Sequence, residues 1–261
     1  MTTSGPRRLG AIARHLALVP VFLALIGLSQ GAQDLSTFLS QPPAPGAWAA
    51  YRIDTTSSGR LKRERFNLAI TGKDDVNGEE YVWLEAGPTN FASYRDGYLR
   101  LLIKGHPSPA EALNPFLEAL ALAYQEPAGE PFKLTSGAIS FMHGQAKNVK
   151  VHQDRKDLPP AQATSVLGKS YPCTCEEITT TTESSFLGRH FSSTEKGVYW
   201  FSPETPFTLV RAEIERQEIS GGKERDKSIV VQLRDASRDG SQSHFTKPPS
   251  KEKGLLGILF H

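Results

Sequence analysis

The side chains that could do chemistry are few and scattered along the chain. Cys173-Thr174-Cys175 sets two thiols two residues apart. On a strand they share a face, with Cα atoms about 6.6 Å apart at the ordinary rise, near the upper limit for a bridge. The pair therefore reads as core thiols, or as a local disulfide if the strand bulges. Soft-metal binding would need further ligands, with His143, His152 and His190 as candidates. Nothing in the spacing brings those histidines near, so neither a metal nor a cofactor is expected.

The remaining motifs have plainer explanations. Ala163 to Ser170 (ATSVLGKS) fits a loose phosphate-loop pattern with alanine in the first position. That chemistry needs successive amides around phosphate and then a helix N-terminus. Here Tyr171-Pro172 and a β-type run follow, and a turn between strands explains Gly168. Ser250-Lys251-Glu252-Lys253 matches a serine–lysine pattern, but in a polar tail where no burial would lower a lysine pKa. Glu79, Glu80 and Glu85 flank Trp83. Two such acids would suit glycoside hydrolysis, yet acids beside a hairpin turn are as a rule solvated. Trp48, Trp83 and Trp200 would suit a carbohydrate platform or fill a core. No G-x-S-x-G or H-E-x-x-H occurs. No catalytic residue is assigned, and a non-enzymatic protein is expected.

The elements that would position these residues follow from composition and pattern. The chain has 261 residues, of which 38% are hydrophobic and 22% charged. That is enough apolar material for one sizeable core. A mean hydropathy of -0.36 excludes a polytopic membrane protein. Residues 1–15 carry Arg7, Arg8 and Arg14 and no acid; Leu16 to Leu28 is apolar, and Ser29-Gln30-Gly31 follows. A basic start, a short apolar run and small residues make a secretory signal peptide over 1–31, a signal helix cleaved near Gly31-Ala32. The expected location is periplasmic or secreted. Removing 1–31 takes three of the 30 basic residues and none of the 28 acids, so the net charge falls from +2 to near -1. No basic excess remains for nucleic acid. The local patch Arg60, Lys62, Arg63 and Arg65 reads as a solvated sheet face, with an anionic-lipid contact as the sharper alternative.

Residues 32–45 form a linker with a short helix, ended by Pro42, Pro43 and Pro45. Strands then alternate over 47–56 and 61–71, where Phe66, Leu68 and Ile70 share a face. Asn77-Gly78 predicts a hairpin, with the return strand over 80–86 and another over 94–104. Ser108-Pro109-Ala110-Glu111 is a capping box that predicts a helix over 109–124, carrying Leu113, Phe116, Leu117, Leu120 and Tyr124 on one stripe. Short strands are expected after Pro127, near 132–142, 146–153, 163–167, 171–182, 185–192, 197–202, 206–219 and 227–235. Val210, Ala212, Ile214 and Arg216 fall in one phase of their strand, and Arg211, Glu213, Glu215 and Gln217 in the other. Residues 236–261 read as a polar, mobile tail with an apolar end, Leu255 to Phe260, too short to span a bilayer. The fold class is α+β. A strongly curved antiparallel sheet over 46–235, an incomplete β-barrel, is wrapped around or covered by one helix.

Four segments carry a resemblance. They are Gly46-Ala-Trp48-Ala-Ala-Tyr51, Gly78-Glu-Glu-Tyr-Val-Trp83-Leu-Glu85, Val166-Leu-Gly168-Lys-Ser-Tyr171-Pro-Cys173, and Val198-Tyr-Trp200-Phe-Ser-Pro203-Glu-Thr-Pro206-Phe-Thr-Leu-Val210. Together they resemble uncharacterised exported bacterial proteins, and more remotely the periplasmic lipoprotein carrier with its LolA/LppX-like fold. The resemblance implies an unclosed antiparallel barrel with a helical lid and an apolar cavity for acyl chains. On that footing Leu113, Phe116, Leu117 and Leu120 of the lid face a lipid or acylated ligand, with Phe66, Leu68, Ile70 and Trp83 on the sheet. The alternative is an envelope protein–protein interaction module with a filled core, whose partner docks on Leu255 to Phe260.

Overall fold

The computed structural model describes residues 42–91, 94–107, 118–146, 148–186, 189–220 and 222–259. The leader expected over 1–31 and the short helix that follows it lie outside the described residues. The first four strands form a meander: β1 (Trp48–Ser57), β2 (Arg60–Val76), β3 (Glu79–Phe91) and β4 (Tyr94–Lys104). Asn77 and Gly78 join β2 to β3 at φ 57° and 82°. A type I′ hairpin turn requires positive φ at both of its central residues, which is why this dipeptide sits there.

Next come β5 (Ala121–Gln125), β6 (Phe132–Leu134) and helix α1 (Ser136–Ala146). Then follow β7 (Val149–Thr164), β8 (Ser170–Phe186), β9 (Arg189–Phe201), β10 (Leu209–Ser220) and β11 (Lys223–Ser237). The chain closes with β12 (Lys251–Lys253) and the short α2 (Leu255–Leu259). All twelve strands belong to one sheet, in the order β12-β6-β5-β4-β3-β2-β1-β11-β10-β9-β8-β7. The β12–β6 pair is parallel. The sheet is open, with β12 and β7 as its edges.

The β7 end curls back. The Val166 N–H donates to the Leu233 carbonyl at 2.8 Å, and Gln232 Nε2 donates to the Thr164 carbonyl at 2.7 Å. Four strand steps separate β7 from β11, about 19 Å in a flat sheet at the usual spacing. Direct hydrogen bonds over that interval require strong curvature. One source is local. The β7–β8 register shifts between Leu158 and Ala161, opposite Cys175 and Cys173. Pro159 and Pro160 fall in that bulge, on an edge strand where their missing N–H groups leave no neighbour unpaired.

Three expectations are corrected. The helix expected over 109–124 does not run to its end: Ala121–Gln125 is strand β5, where Leu122 faces Leu101 and Tyr124 faces Leu99. Alanine is the best helix former, but intrinsic propensity is a small effect, and pairing with β4 overrides it. Residues 108–117 of that element, with Leu113, Phe116 and Leu117, lie outside the described residues. The strand expected near 132–142 is three residues long and then gives way to α1. Thr135 caps α1, its Oγ1 accepting from the Ala138 N–H at 3.3 Å, and Ala138, Ile139 and Met142 join the core.

The tail, finally, is a strap rather than a free end. The Ser241 N–H donates to the Gly46 carbonyl at 2.7 Å and its hydroxyl to the Ile70 carbonyl at 3.1 Å. Ser243 Oγ and the His244 N–H both donate to the buried Glu85, at 2.6 and 2.9 Å. Gln125 and Thr246 exchange bonds at 3.0 and 3.1 Å, and β12 then pairs with β6. The strap thus crosses from the start of β1 to the far edge.

Candidate functional site

The inner face of the sheet, the one that bears the core, is built in layers read from the cross-strand register. Leu122, Leu101, Leu84 and Ile70 form one layer. Phe132, Tyr124, Leu99, Ala86, Leu68 and Ala49 form the next. Phe66, Tyr51 and Leu233 follow, then Ile53, Val231, Ala212 and Tyr199, then Ile229, Ile214, Gly197 and Ile178. On β10 and β11 these residues alternate with more exposed ones, as a half-buried sheet requires, whereas on β2 to β5 the alternate residues Ala69, Glu85, Leu102 and Ala123 are buried as well. Gly197 leaves room for its neighbours: a Cβ there would stand 3.0 Å from both Ile214 Cγ1 and Tyr199 Cε2.

One step further the same face turns polar. Lys227, Arg216, Glu195 and Thr180 are cross-strand neighbours on β11, β10, β9 and β8. Beside them lie Arg225, Glu218, Ser193 and Thr182. Arg216 and Glu195 form an ion pair with side chains only 7% and 2% exposed. Lys227 Nζ holds Glu218 at 2.7 and 2.8 Å, and Arg216 Nη1 lies 3.6 Å from the same carboxylate. Thr180 and Thr182 are buried, and the Thr182 hydroxyl has no hydrogen-bond partner among the described residues. Desolvation holds the Glu195 carboxyl above the usual carboxylate range, against the pull of Arg216. Neither Glu195 nor Thr182 stood out in the sequence. The available signal was Arg216, a cation in the apolar phase of its strand.

The expected ligand-facing residues are distributed differently from the expectation. Leu68 and Ile70 are buried on the inner face, and Phe66 packs half-buried against it. Leu120 precedes β5 and is exposed. Trp83 is a correction: it alternates with the inner-facing Val82 and Leu84 and lies on the outer face. There Arg100 stacks on its ring at 4.7 Å, and its Nε1 donates to Asp74 at 2.9 Å. The expected docking segment is also partly used by the chain itself. Ile258 is buried in the core and Leu255 packs against it, while Leu256 stays 71% exposed. Phe260 lies outside the described residues.

The other candidates separate. Cys173 and Cys175 are free, buried thiols. Burial pushes the Cys173 thiol up, so it holds its proton and is a poor nucleophile. His152 pairs with Asp154 at 3.2 Å, and His143 Nε2 meets the Ala119 carbonyl at 3.1 Å. Among the described residues no three His, Cys, Asp or Glu side chains converge as metal ligands. Glu80 bonds Lys73 at 3.1 Å, Glu79 accepts from Tyr81 at 3.2 Å, and Glu85 is taken by the strap, so these carboxylates form no acid–base pair. Residues 165–169 are the β7–β8 turn, closed by the Ser165 N–H on the Lys169 carbonyl at 2.8 Å. Arg63 of the basic patch is held by Asp54 at 2.9 Å. Among the described residues no helix is long and apolar enough to cross a membrane.

No family model matches the chain, and no curated protein matches it significantly in sequence. Among solved structures it is similar to a Bacteroides fragilis protein described as exported with a YmcC-like fold. That likeness has 10% identity and a TM-score of 0.35, over 76% of this chain and 99% of that one. It is similar also to a Vibrio parahaemolyticus domain described as outer membrane lipoprotein-sorting, at 6% identity and TM-score 0.32, over 83% and 94%. A LolA superfamily protein from Nitrosomonas europaea aligns at 13% identity and TM-score 0.25, over 84% and 97%. The classes of protein that the sequence segments resemble thus recur among the structural likenesses. At these TM-scores the likeness is remote, and the function of the chain has to be read from its own layered inner face.

Proposed function

We propose that this is an exported, non-enzymatic envelope protein that holds an apolar or acylated ligand, a lipid or a lipoprotein's acyl chains, against the inner face of its sheet. The observation that supports this reading is the unbroken run of apolar layers, from Leu101 and Leu84 to Ile214 and Ile178, on a sheet whose two edges do not pair with each other. An open sheet can widen without breaking ladder hydrogen bonds, so a guest chain can enter between its walls. Burying such a chain yields about 0.8 kcal/mol per methylene. Phe66, Leu68 and Ile70 are the ligand-facing residues on β2, and Leu113, Phe116, Leu117 and Leu120 the covering segment. Residues 1–31 direct export to the periplasm or beyond, with cleavage near Gly31-Ala32.

A neutral solvatochromic dye such as Nile red tests the reading. The full chain is expected to brighten and blue-shift the dye saturably, and a long-chain alcohol to displace it. Phe66→Asp, half-buried in the middle layer, is expected to weaken uptake at least about tenfold, the order expected from losing an aromatic contact and adding a charge. Dye emission unchanged from buffer would overturn the reading. A second reading, an interaction module with a filled core, is favoured by the complete burial of Ile70, Val210, Ala212 and Leu233. It expects no uptake.

A further inference from the structure

We infer that the polar layer of Arg216, Glu195, Thr180 and Thr182 is the headgroup end of this apolar face, and that the ligand is an acyl or alkyl chain ending in an acidic head, a carboxylate or a phosphate monoester. The inference rests on the carrier reading above and adds the chemistry of the head. The layer stands one register step from Ile229, Ile214 and Ile178, so a chain lying on the apolar layers brings its end group to Arg216. A buried ion pair is weak as a source of stability, because desolvating two charges offsets most of their attraction. Its burial next to the apolar layers, beside the Thr182 hydroxyl that has no partner among the described residues, points to a ligand that uses it.

The sign of the ligand's charge follows from the two partners. A cationic head would have to compete with the guanidinium of Arg216 for Glu195. Glu195 can give way. Burial already favours its neutral acid, and once protonated it leaves the guanidinium to an incoming anion. The groups facing the pair are Thr180 and Gln153 on one side, Lys227 on the other, and Ser193, Glu218, Arg225 and Thr182 in the next layer. Lys227 is engaged by Glu218. The anion therefore binds at the Arg216 guanidinium, with the Thr182 hydroxyl as a further donor.

The test compares end groups on one chain length. The full chain carrying Nile red is titrated with a long-chain fatty acid, the matching alkyl phosphate, alcohol and amine, all below their aggregation thresholds. Either acid is expected to displace the dye at about tenfold lower concentration than the alcohol, the size of one charge-assisted hydrogen bond; which acid is better tells carboxylate from phosphate. Arg216→Gln is expected to abolish that preference, so that acid and alcohol displace the dye at like concentrations. Glu195→Gln is expected to keep it. If Arg216→Gln does not fold, the double variant Glu195→Leu with Arg216→Met removes both charges, and the same loss of preference is expected. Equal displacement by acid, alcohol and amine, or preference for the amine, would overturn this inference and leave the carrier reading standing. Displacement by none of the four, with the dye bound, places it elsewhere and overturns both.

Discussion

Two stretches of the same inner face are equally buried and chemically opposite. Leu101, Leu84 and Ile70 make a layer of aliphatic side chains, each 4% exposed or less. Arg216, Glu195 and Thr180 make a layer of charge and hydroxyl, each 7% exposed or less. The aliphatic layer needs no explanation beyond folding, since removing it from water stabilises the sheet. The polar layer has no such justification, because an aliphatic layer in its place would hold the sheet at least as well. Burial alone therefore does not separate structure from function on this sheet; the chemistry of what is buried does.

The largest effect that would break this contrast lies in the polar layer. Glu195→Ala leaves Arg216 buried without its nearest counter-charge and is expected to lower stability by about 3–5 kcal/mol in urea unfolding. Replacing both partners, Glu195→Leu with Arg216→Met, is expected to be neutral or to stabilise by about 1–4 kcal/mol. A double variant as weak as the single one would mean that the pair is structural. In the aliphatic layer, Leu84→Ala is expected to cost about 2–5 kcal/mol. Aliphatic contacts leave no charge to rebalance, so a second substitution at Leu101 should add to the loss.

A smaller effect sets the inner layer against the outer strap through pH. His244 stacks on Tyr98 at 3.8 Å, and its partial desolvation lowers its pKa below 6.5, partly offset by Glu85. The unfolded chain then binds more protons than the native one below the ordinary histidine range. The strap's contribution is complete above pH 6.5 and falls as pH drops toward the native value. Glu195 has the opposite sign. Its pKa is raised above 4.5, so its contribution is complete below that value and is lost as pH rises through the native one. Thermal unfolding between pH 8 and pH 4 should therefore show a smaller loss of stability on acidification below pH 6.5 in His244→Gln, and a smaller loss of stability on raising the pH above 4.5 in Glu195→Gln. Parallel profiles for both variants and the parent would contradict these assignments.

What the sequence made legible depends on the range of the interactions. The β1–β4 meander was readable because each hairpin is local: apolar alternation sets the faces and Asn77-Gly78 sets the turn. The open, β-rich sheet was readable for the same reason. Leu122 and Tyr124 were not, because alanine-rich ALAY has the composition of a helix and becomes a strand only where β4 offers it hydrogen bonds. Thr135, which caps α1, was a signal within reach. The strap was out of reach: Ser243, His244 and Thr246 look like a solvated tail until Glu85 and Gln125 are brought beneath them from more than a hundred residues away. Trp83 illustrates the finer limit. Its strand was readable, but one step of register decides its face.

Native mass spectrometry of the full chain, expressed from Met1 and purified without detergent, tests the central claim most directly. The account predicts a native mass above that of the chain by a discrete few hundred daltons or more, with an acidic lipid recovered on solvent extraction. A bare chain mass, unchanged after incubation with membrane lipids, would contradict it and leave a filled core.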